Sequence, residues 1–211
     1  MAYSVKEIFY SLQGEGARTG RPAVFCRFAG CNLWSGLEED RELAQCNFCD
    51  TDFVGTDGPD GGQFDSAEDL AAAINETWPS PNEGFPYVIF TGGEPLLQLD
   101  APLIQSLKDQ GFEVAIETNG TIAAPSGLDW VCVSPKISAP LQVAQGNELK
   151  FIFPQSKLRP EQFEHLQFDH FFLQPLDGDE TEANTAVALD YCLRHPRWRL
   201  SLQTHKQLRI R

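Results

Sequence analysis

Basic side chains are scarce in this chain. Sixteen Lys and Arg stand against thirty Asp and Glu, a formal net charge of −14, so the surface repels nucleic acid and anionic lipid and suits a small-molecule partner. Long apolar runs are missing as well. No stretch reaches the ~18 residues that span a bilayer. The opening Ala2-Tyr3-Ser4-Val5-Lys6-Glu7 lacks the apolar segment of a secretory signal, which predicts a cytoplasmic protein with no membrane contact. There is no internal repeat and no low-complexity segment. At 211 residues and 42% hydrophobic content, the expectation is one domain over residues 1–211 with a single sizeable core.

The six cysteines are too unevenly placed for a disulfide framework, which predicts reduced thiols. Cys26 and Cys132 lie in apolar strand-like runs and Cys192 in a helical one, where free cysteine packs as a small hydrophobe. The other three, Cys31, Cys46 and Cys49, stand in the spacing C-x14-C-x2-C, and what this group lacks is a fourth member. Three thiolates leave one iron of a 4Fe-4S cluster without a protein ligand, and an open iron can take the amino and carboxylate groups of S-adenosylmethionine. Phe48 puts a ring beside the last thiolate, where it can shield a cluster and flank an adenine. C-x2-C is also half of a zinc site, with a fourth ligand available from Cys26, His165, His170, His195 or His205, and on the cysteines alone both readings stay open.

Short apolar runs at 22–28, 86–90, 112–116, 128–133, 149–153, 170–174 and 198–204 read as strands, most of them buried on both faces. Helices are expected at 66–78, with Ser66 as N-cap, and at 102–110, 160–167 and 181–194. This alternation predicts an α/β fold with a mainly parallel sheet. Seven strands are too few for a closed eight-stranded barrel, so a partial, open β/α barrel fits better. The one long irregular stretch, about 29–65, is expected to bind the cluster in its first half and to act as a flexible connector in its glycine-rich second half.

The unusual polar residues fall at the carboxyl ends of these strands, which in parallel α/β proteins open onto one rim. Arg27 follows the first strand, Thr91-Gly92-Gly93-Glu94-Pro95 the second, Glu117-Thr118-Asn119-Gly120 the third and Ser134-Pro135-Lys136 the fourth. Gln174-Pro175-Leu176-Asp177 and Gln203-Thr204-His205-Lys206 follow the last two named runs. Gly92-Gly93 lets a backbone come close to a ligand, and Glu94 offers an acceptor for an ammonium group. Glu117 and Asn119 suit ribose hydroxyls, and Ser134 and Lys136 suit hydroxyl and carboxylate groups. Each segment also has an ordinary reading as a turn.

The cysteine triad with an aromatic before its last member, followed by Gly-Gly-Glu-Pro, resembles the radical S-adenosylmethionine superfamily. The fourteen residues from Asn32 to Gln45 depart from that superfamily's usual three. With Leu12-Gln13-Gly14-Glu15-Gly16, Arg27 and Gln203-Thr204-His205-Lys206, they make nearly the whole chain similar to the 7-carboxy-7-deazaguanine synthase family. That resemblance implies a homodimeric lyase of queuosine and 7-deazapurine biosynthesis. It converts 6-carboxy-5,6,7,8-tetrahydropterin into 7-carboxy-7-deazaguanine by hydrogen abstraction, ring contraction and loss of ammonia. It further implies a 4Fe-4S cluster on Cys31, Cys46 and Cys49, S-adenosylmethionine, Mg2+ and a reductant protein such as flavodoxin.

By the same resemblance Phe48, Gly92, Gly93, Glu94, Glu117, Asn119, Ser134, Pro135, Lys136 and the Gln174, Pro175, Leu176, Asp177 segment surround S-adenosylmethionine. Leu12, Gln13, Gly14, Glu15, Arg27, Thr91 and His205 face the pterin, and Asp50 and Thr51 supply oxygen ligands to Mg2+. An activating enzyme for a glycyl-radical protein would share the cluster and cofactor site, and a zinc-stabilised binding module would share only the cysteines.

Overall fold

Alternation of side chains along the strands decides the architecture. The computed structural model describes residues 2–79, 84–136 and 141–211. Nine strands form one sheet: β1 (Tyr3–Leu12), β2 (Pro22–Phe28), β3 (Gly62–Phe64), β4 (Tyr87–Gly92), β5 (Glu113–Thr118), β6 (Trp130–Val133), β7 (Gln145–Phe153), β8 (Gln167–Pro175) and β9 (Trp198–Leu200). Their order is β3-β1-β2-β4-β5-β6-β7-β8-β9, with free edges rather than closure. From β2 onward every neighbouring pair is parallel, while β1 runs antiparallel to β2 and β3. The seven parallel strands are those that the apolar runs predict.

Helices α1 (Ala67–Thr77), α2 (Ala101–Asp109) and α3 (Thr181–Arg194) belong to the crossovers, and α4 (Thr204–Leu208) ends the chain. Helix α1 starts where Ser66 accepts the Asp69 N–H and buries Ala67, Leu70, Ala71 and Ile74, an i, i+3, i+4, i+7 pattern that makes one apolar stripe. That stripe joins Val24, Phe28, Phe90, Ile116, Phe151 and Leu173 from one face of the sheet in the main core. On the opposite face the same strands present Arg27, Thr91, Glu117, Lys150 and Gln174 to a cavity. The period of two therefore divides each strand between a helix-covered core and a polar lumen.

Strand β1 escapes the apolar-run reading for a definite reason. Val5 pairs with Phe28 and Glu7 with Arg27, so Lys6 is one residue too many on its strand. This bulge carries Val5 and Ile8, three apart, into the same core and breaks the alternation by which a strand is recognised. The glycine-rich stretch after the cysteines is not a flexible connector. It lies against the bulge, with Gly58 N donating to Lys6 O (2.9 Å) and Ile8 N to Pro59 O (2.8 Å). A Cβ on Gly58 or Gly61 would sit 2.6 Å or 2.2 Å from the Lys6 carbonyl oxygen, so these glycines permit close packing.

Two further expectations change. The helix expected at 160–167 is a single 3-10 turn, Pro160–Phe163, because the chain must enter β8 at Gln167. The last strand stops at Leu200, where the polar residues that follow turn into the lumen: Ser201 Oγ accepts the Gly16 N–H at 2.9 Å. Cys26 and Cys132 are buried as expected, whereas Cys192 is only partly so.

Candidate active site

A cavity of about 400 Å3 opens at the carboxyl ends of the parallel strands. Its lining includes every site residue named from the sequence except Glu94 and Pro135. Three parts can be distinguished: a rim of cysteines, a set of strand-end turns and a charged floor.

The rim is lashed to the turns by backbone. Glu94 N donates to Gly30 O (3.0 Å), and a Cβ on Gly93 would stand 2.3 Å from that oxygen and 2.6 Å from Cys31 Cβ. Gly92, at φ +145°, lies equally close to the Phe28 backbone. The close approach that these glycines allow is therefore first to the cysteine-bearing chain itself. Glu94 does not face the cavity. Its carboxylate is fully buried and accepts from Thr118 Oγ1 (2.6 Å), Asn119 N (2.8 Å) and Leu96 N (2.9 Å), tying the ends of β4 and β5 together. Burial raises its pKa, and these donors oppose the rise. Pro135 is likewise buried, its carbonyl accepting from Gln155. Asn119 reaches the cysteine loop through Asn32 Oδ1 (2.9 Å).

Cys31, Cys46 and Cys49 are free thiols at the cavity. Burial raises the pKa of Cys31 and Cys46, an effect partly offset at Cys46 by the Lys136 ammonium. Lys136 also lies 5.7 Å from the Phe48 ring centroid. Cys26 cannot join them, because its side chain points into the helix-side core while its neighbour Arg27 lines the cavity. Among the described residues no three His, Cys, Asp or Glu converge as ligands of a single ion. A polynuclear cluster has no such need, since each thiolate binds a different iron. The donor set thus fits a 4Fe-4S cluster with one open iron.

The floor is built around a lysine that the sequence reading passed over. Lys150 on β7 is buried, and its Nζ donates to Glu117 Oε2 (2.6 Å) and to Glu15. Glu15 also accepts from Gln174 (2.9 Å) and Gln203 (3.1 Å), and Glu117 from Gln13 (3.0 Å). Burial alone would raise the pKa of Glu15, but the Lys150 charge and hydrogen bond, with the Gln203 hydrogen bond and His205, together outweigh it and hold the carboxyl below its usual range. For Lys150, burial acts downward and is overcome by Glu117 and Glu15, which keep the ammonium charged. One lysine inside the apolar run Leu149-Lys150-Phe151-Ile152-Phe153 was the available signal, since an unpaired ammonium is not buried in a strand.

Other expected residues are placed with partners of their own. Gly14 lies under His205, where a Cβ would fall 2.2 Å from Nδ1. Burial lowers the pKa of His205, and the Glu15 charge opposes this. Arg27 Nε donates to Glu7 Oε1 at 2.9 Å. Lys206 bridges Asp50 and Asp177, so the Asp50 carboxylate is engaged in an ion pair, and Thr51 beside it lines the cavity.

No family model matches the chain, but whole proteins do. The 7-carboxy-7-deazaguanine synthase of Bordetella pertussis is 63% identical over 210 residues, covering 100% of each chain. That of Bradyrhizobium diazoefficiens is 62% identical over 211 residues, again 100% of each. Bacteroides thetaiotaomicron has a similar protein of the same name, 41% identical over 100% of both chains. Among solved structures, QueE from Escherichia coli superposes with a TM-score of 0.71 at 30% identity, over 97% of this chain and 95% of that one. Full-length identity at this level, together with the shared fold, shows that the chain belongs to the 7-carboxy-7-deazaguanine synthase family.

Proposed function

We propose that this chain converts 6-carboxy-5,6,7,8-tetrahydropterin into 7-carboxy-7-deazaguanine, acting as a radical S-adenosylmethionine lyase in queuosine and 7-deazapurine biosynthesis. The observation that carries this reading is that a three-cysteine rim and a carboxylate-rich floor share one cavity in a chain of this family. A 4Fe-4S cluster with bound S-adenosylmethionine supplies the hydrogen-abstracting radical.

The protein's part is to bind, orient and exclude water. Cys31, Cys46 and Cys49 hold the cluster. The turns at Gly92-Gly93, Ser134-Lys136 and Gln174-Asp177, with Phe48 and Asn119, form the cofactor side, and Glu94 braces that side from behind. Leu12, Gln13, Gly14, Glu15, Thr91 and His205 form the pterin side, where amide and carboxylate groups match the donor and acceptor edge of an aminopyrimidinone. Glu117 bonds to Gln13 and Lys150, which groups it with the pterin side rather than with a ribose.

The test is anaerobic reconstitution followed by incubation with reductant, S-adenosylmethionine and the carboxypterin. The expected product is 7-carboxy-7-deazaguanine. A colourless protein with one zinc and no affinity for S-adenosylmethionine would establish the zinc-module reading instead. Radical transfer to a protein glycine would establish the activating-enzyme reading.

Arg27 is the proposed partner of the pterin carboxylate. With Nε held by Glu7, the terminal guanidinium nitrogens remain to form a charge-assisted pair. Arg27→Ala is expected to raise the pterin KM by roughly 10- to 100-fold, as loss of ~1.5–3 kcal/mol implies. Slow reductive cleavage of S-adenosylmethionine should persist. Unchanged pterin kinetics would remove Arg27 from the site.

The reading extends to Mg2+ at Thr51, to a homodimer and to a flavodoxin-type electron donor. A hard ion held by few protein oxygens depends on the substrate carboxylate, so Mg2+ and pterin should strengthen each other's binding. Because Lys206 engages Asp50, the Thr51 hydroxyl is the better ligand. Mg2+ should stimulate wild type several-fold and Thr51→Ala much less, with the cluster spectrum the same in both. Equal stimulation would show that Thr51 is no ligand. The net charge of −14 and a cavity of small-molecule size favour free pterin over nucleic acid or a membrane surface. Among the described residues no helix is long and apolar enough to cross a bilayer.

A further inference from the structure

In the insert from Asn32 to Gln45, Asn32 bonds Asn119 and Leu33 and Trp34 line the cavity, and the remainder is a closed structure built on one guanidinium. Arg41 lies in the 3-10 turn Glu38–Leu43, with its Cζ 4.1 Å from the Trp34 ring centroid. Its Nε donates to both oxygens of Glu38 at 2.8 Å. Its Nη1 donates to the carbonyl of Asn47 at 3.2 Å and to that of Cys49 at 3.0 Å. The platform under it is fixed: Trp34 is 7% exposed, donates Nε1–H to Leu37 O (3.1 Å) and meets Phe53 edge-on at 5.5 Å. The insert closes on itself, since Gln45 N (3.1 Å) and Cys46 N (3.3 Å) both donate to Leu33 O.

The Cys46–Cys49 turn has little else to shape it. It belongs to no helix or strand, and among the described residues neither the Asn47 nor the Cys49 carbonyl accepts a backbone N–H. Two carbonyls converging on one nitrogen, with the cation stacked on a fixed indole, set the direction in which the intervening side chains leave the turn.

We propose that Arg41 is a positioning residue for the cluster. It fixes the Cys46–Cys49 turn through two carbonyls and sets a positive charge beside it, so that it slows iron loss and raises the reduction potential. This rests on the reading that Cys31, Cys46 and Cys49 hold a 4Fe-4S cluster. It gives the insert a purpose, which is to carry Arg41 back onto the Asn47 and Cys49 carbonyls.

The test compares the reconstituted full-length chain with Arg41→Ala, Arg41→Lys and Glu38→Gln, by iron loss to a chelator and by potentiometric titration. Iron loss should be about tenfold faster in Arg41→Ala, a factor within reach of two ordinary hydrogen bonds. It should be intermediate in Arg41→Lys and within about twofold of wild type in Glu38→Gln, which keeps both carbonyl donors. The potential should fall in Arg41→Ala, because losing a cation destabilises the more negative reduced cluster, and should hold or rise in Glu38→Gln. If Arg41→Ala assembles no cluster, Arg41→Lys carries the iron-loss measurement and Arg41→Gln, which removes the charge, the measurement of potential. Equally fast iron loss in Glu38→Gln, or a fall in potential in both variants, would show a loosened loop and overturn the proposal. Wild-type rates in Arg41→Ala would overturn it while leaving the cluster reading intact. A wild type without a 4Fe-4S chromophore would overturn the cluster reading itself.

Discussion

Cys31→Ala, Cys46→Ala and Cys49→Ala are each expected to lose the brown 4Fe-4S chromophore and all turnover, while Cys26→Ala and Cys192→Ala keep both. The difference is positional. The first three thiols line the cavity, whereas Cys26 is buried in the core on the other face of β2 and Cys192 lies in α3. Iron content and the visible spectrum after anaerobic reconstitution decide the matter. Should Cys26→Ala also empty the site, a four-cysteine structural metal centre would be the better account. Cys132 is not a suitable control, because its thiol lies against Glu117 and Lys150.

Lys150→Met should be the most damaging change outside the cysteines. Lys150 is 4% exposed at its side chain, and its partners Glu15 and Glu117 are 16% and 21% exposed. Removing the cation leaves two largely buried carboxylates unpaired, a defect worth ~3–5 kcal/mol. The pH dependence has a defined sign. The folded-state pKa of Glu15 is depressed, so its contribution is complete above the unfolded value of ~4.3 and is lost as pH falls towards the folded one. The pKa of Lys150 is raised, so its contribution is complete below ~10.4 and is lost only as pH rises through the folded value. The stability gap between wild type and Lys150→Met should therefore be widest near pH 7 and narrow on acidification towards pH 4, as protonation relieves the variant's carboxylates. Urea unfolding across this range tests it. A gap under ~1 kcal/mol, or one that ignores pH, would mean that the floor does not depend on the buried ion pairs.

The parallel strands keep apolar residues on the helix side, and Ala23, Tyr87, Ile89 and Ala115 add a second apolar cluster on the other face of β2, β4 and β5, which is why the runs of β2 and β4 to β9 were legible. Strand β1 was not, because the bulge at Lys6 shifts its apolar residues out of phase and fills the middle of the strand with Lys6 and Glu7. Gly92-Gly93 reads as a place where the backbone comes close to a ligand, and in the structure these glycines lie close to the chain itself. What approaches them was not legible, since Gly30 and Cys31 come from more than sixty residues earlier in the chain.

By itself the sequence determined the α/β class, the three-thiol motif and the convergence of strand-end segments on one rim, because these follow from local periodicity and spacing. Only the tertiary structure decided which charges meet. Lys150 is ambiguous in a linear string and becomes the centre of the floor when β1, β5, β7 and β8 bring Glu15, Glu117 and Gln174 around it. Glu94 passes from exposed acceptor to buried brace for the same reason. Pairing energies depend on distance and burial, and the folded chain sets both between residues that are remote in sequence.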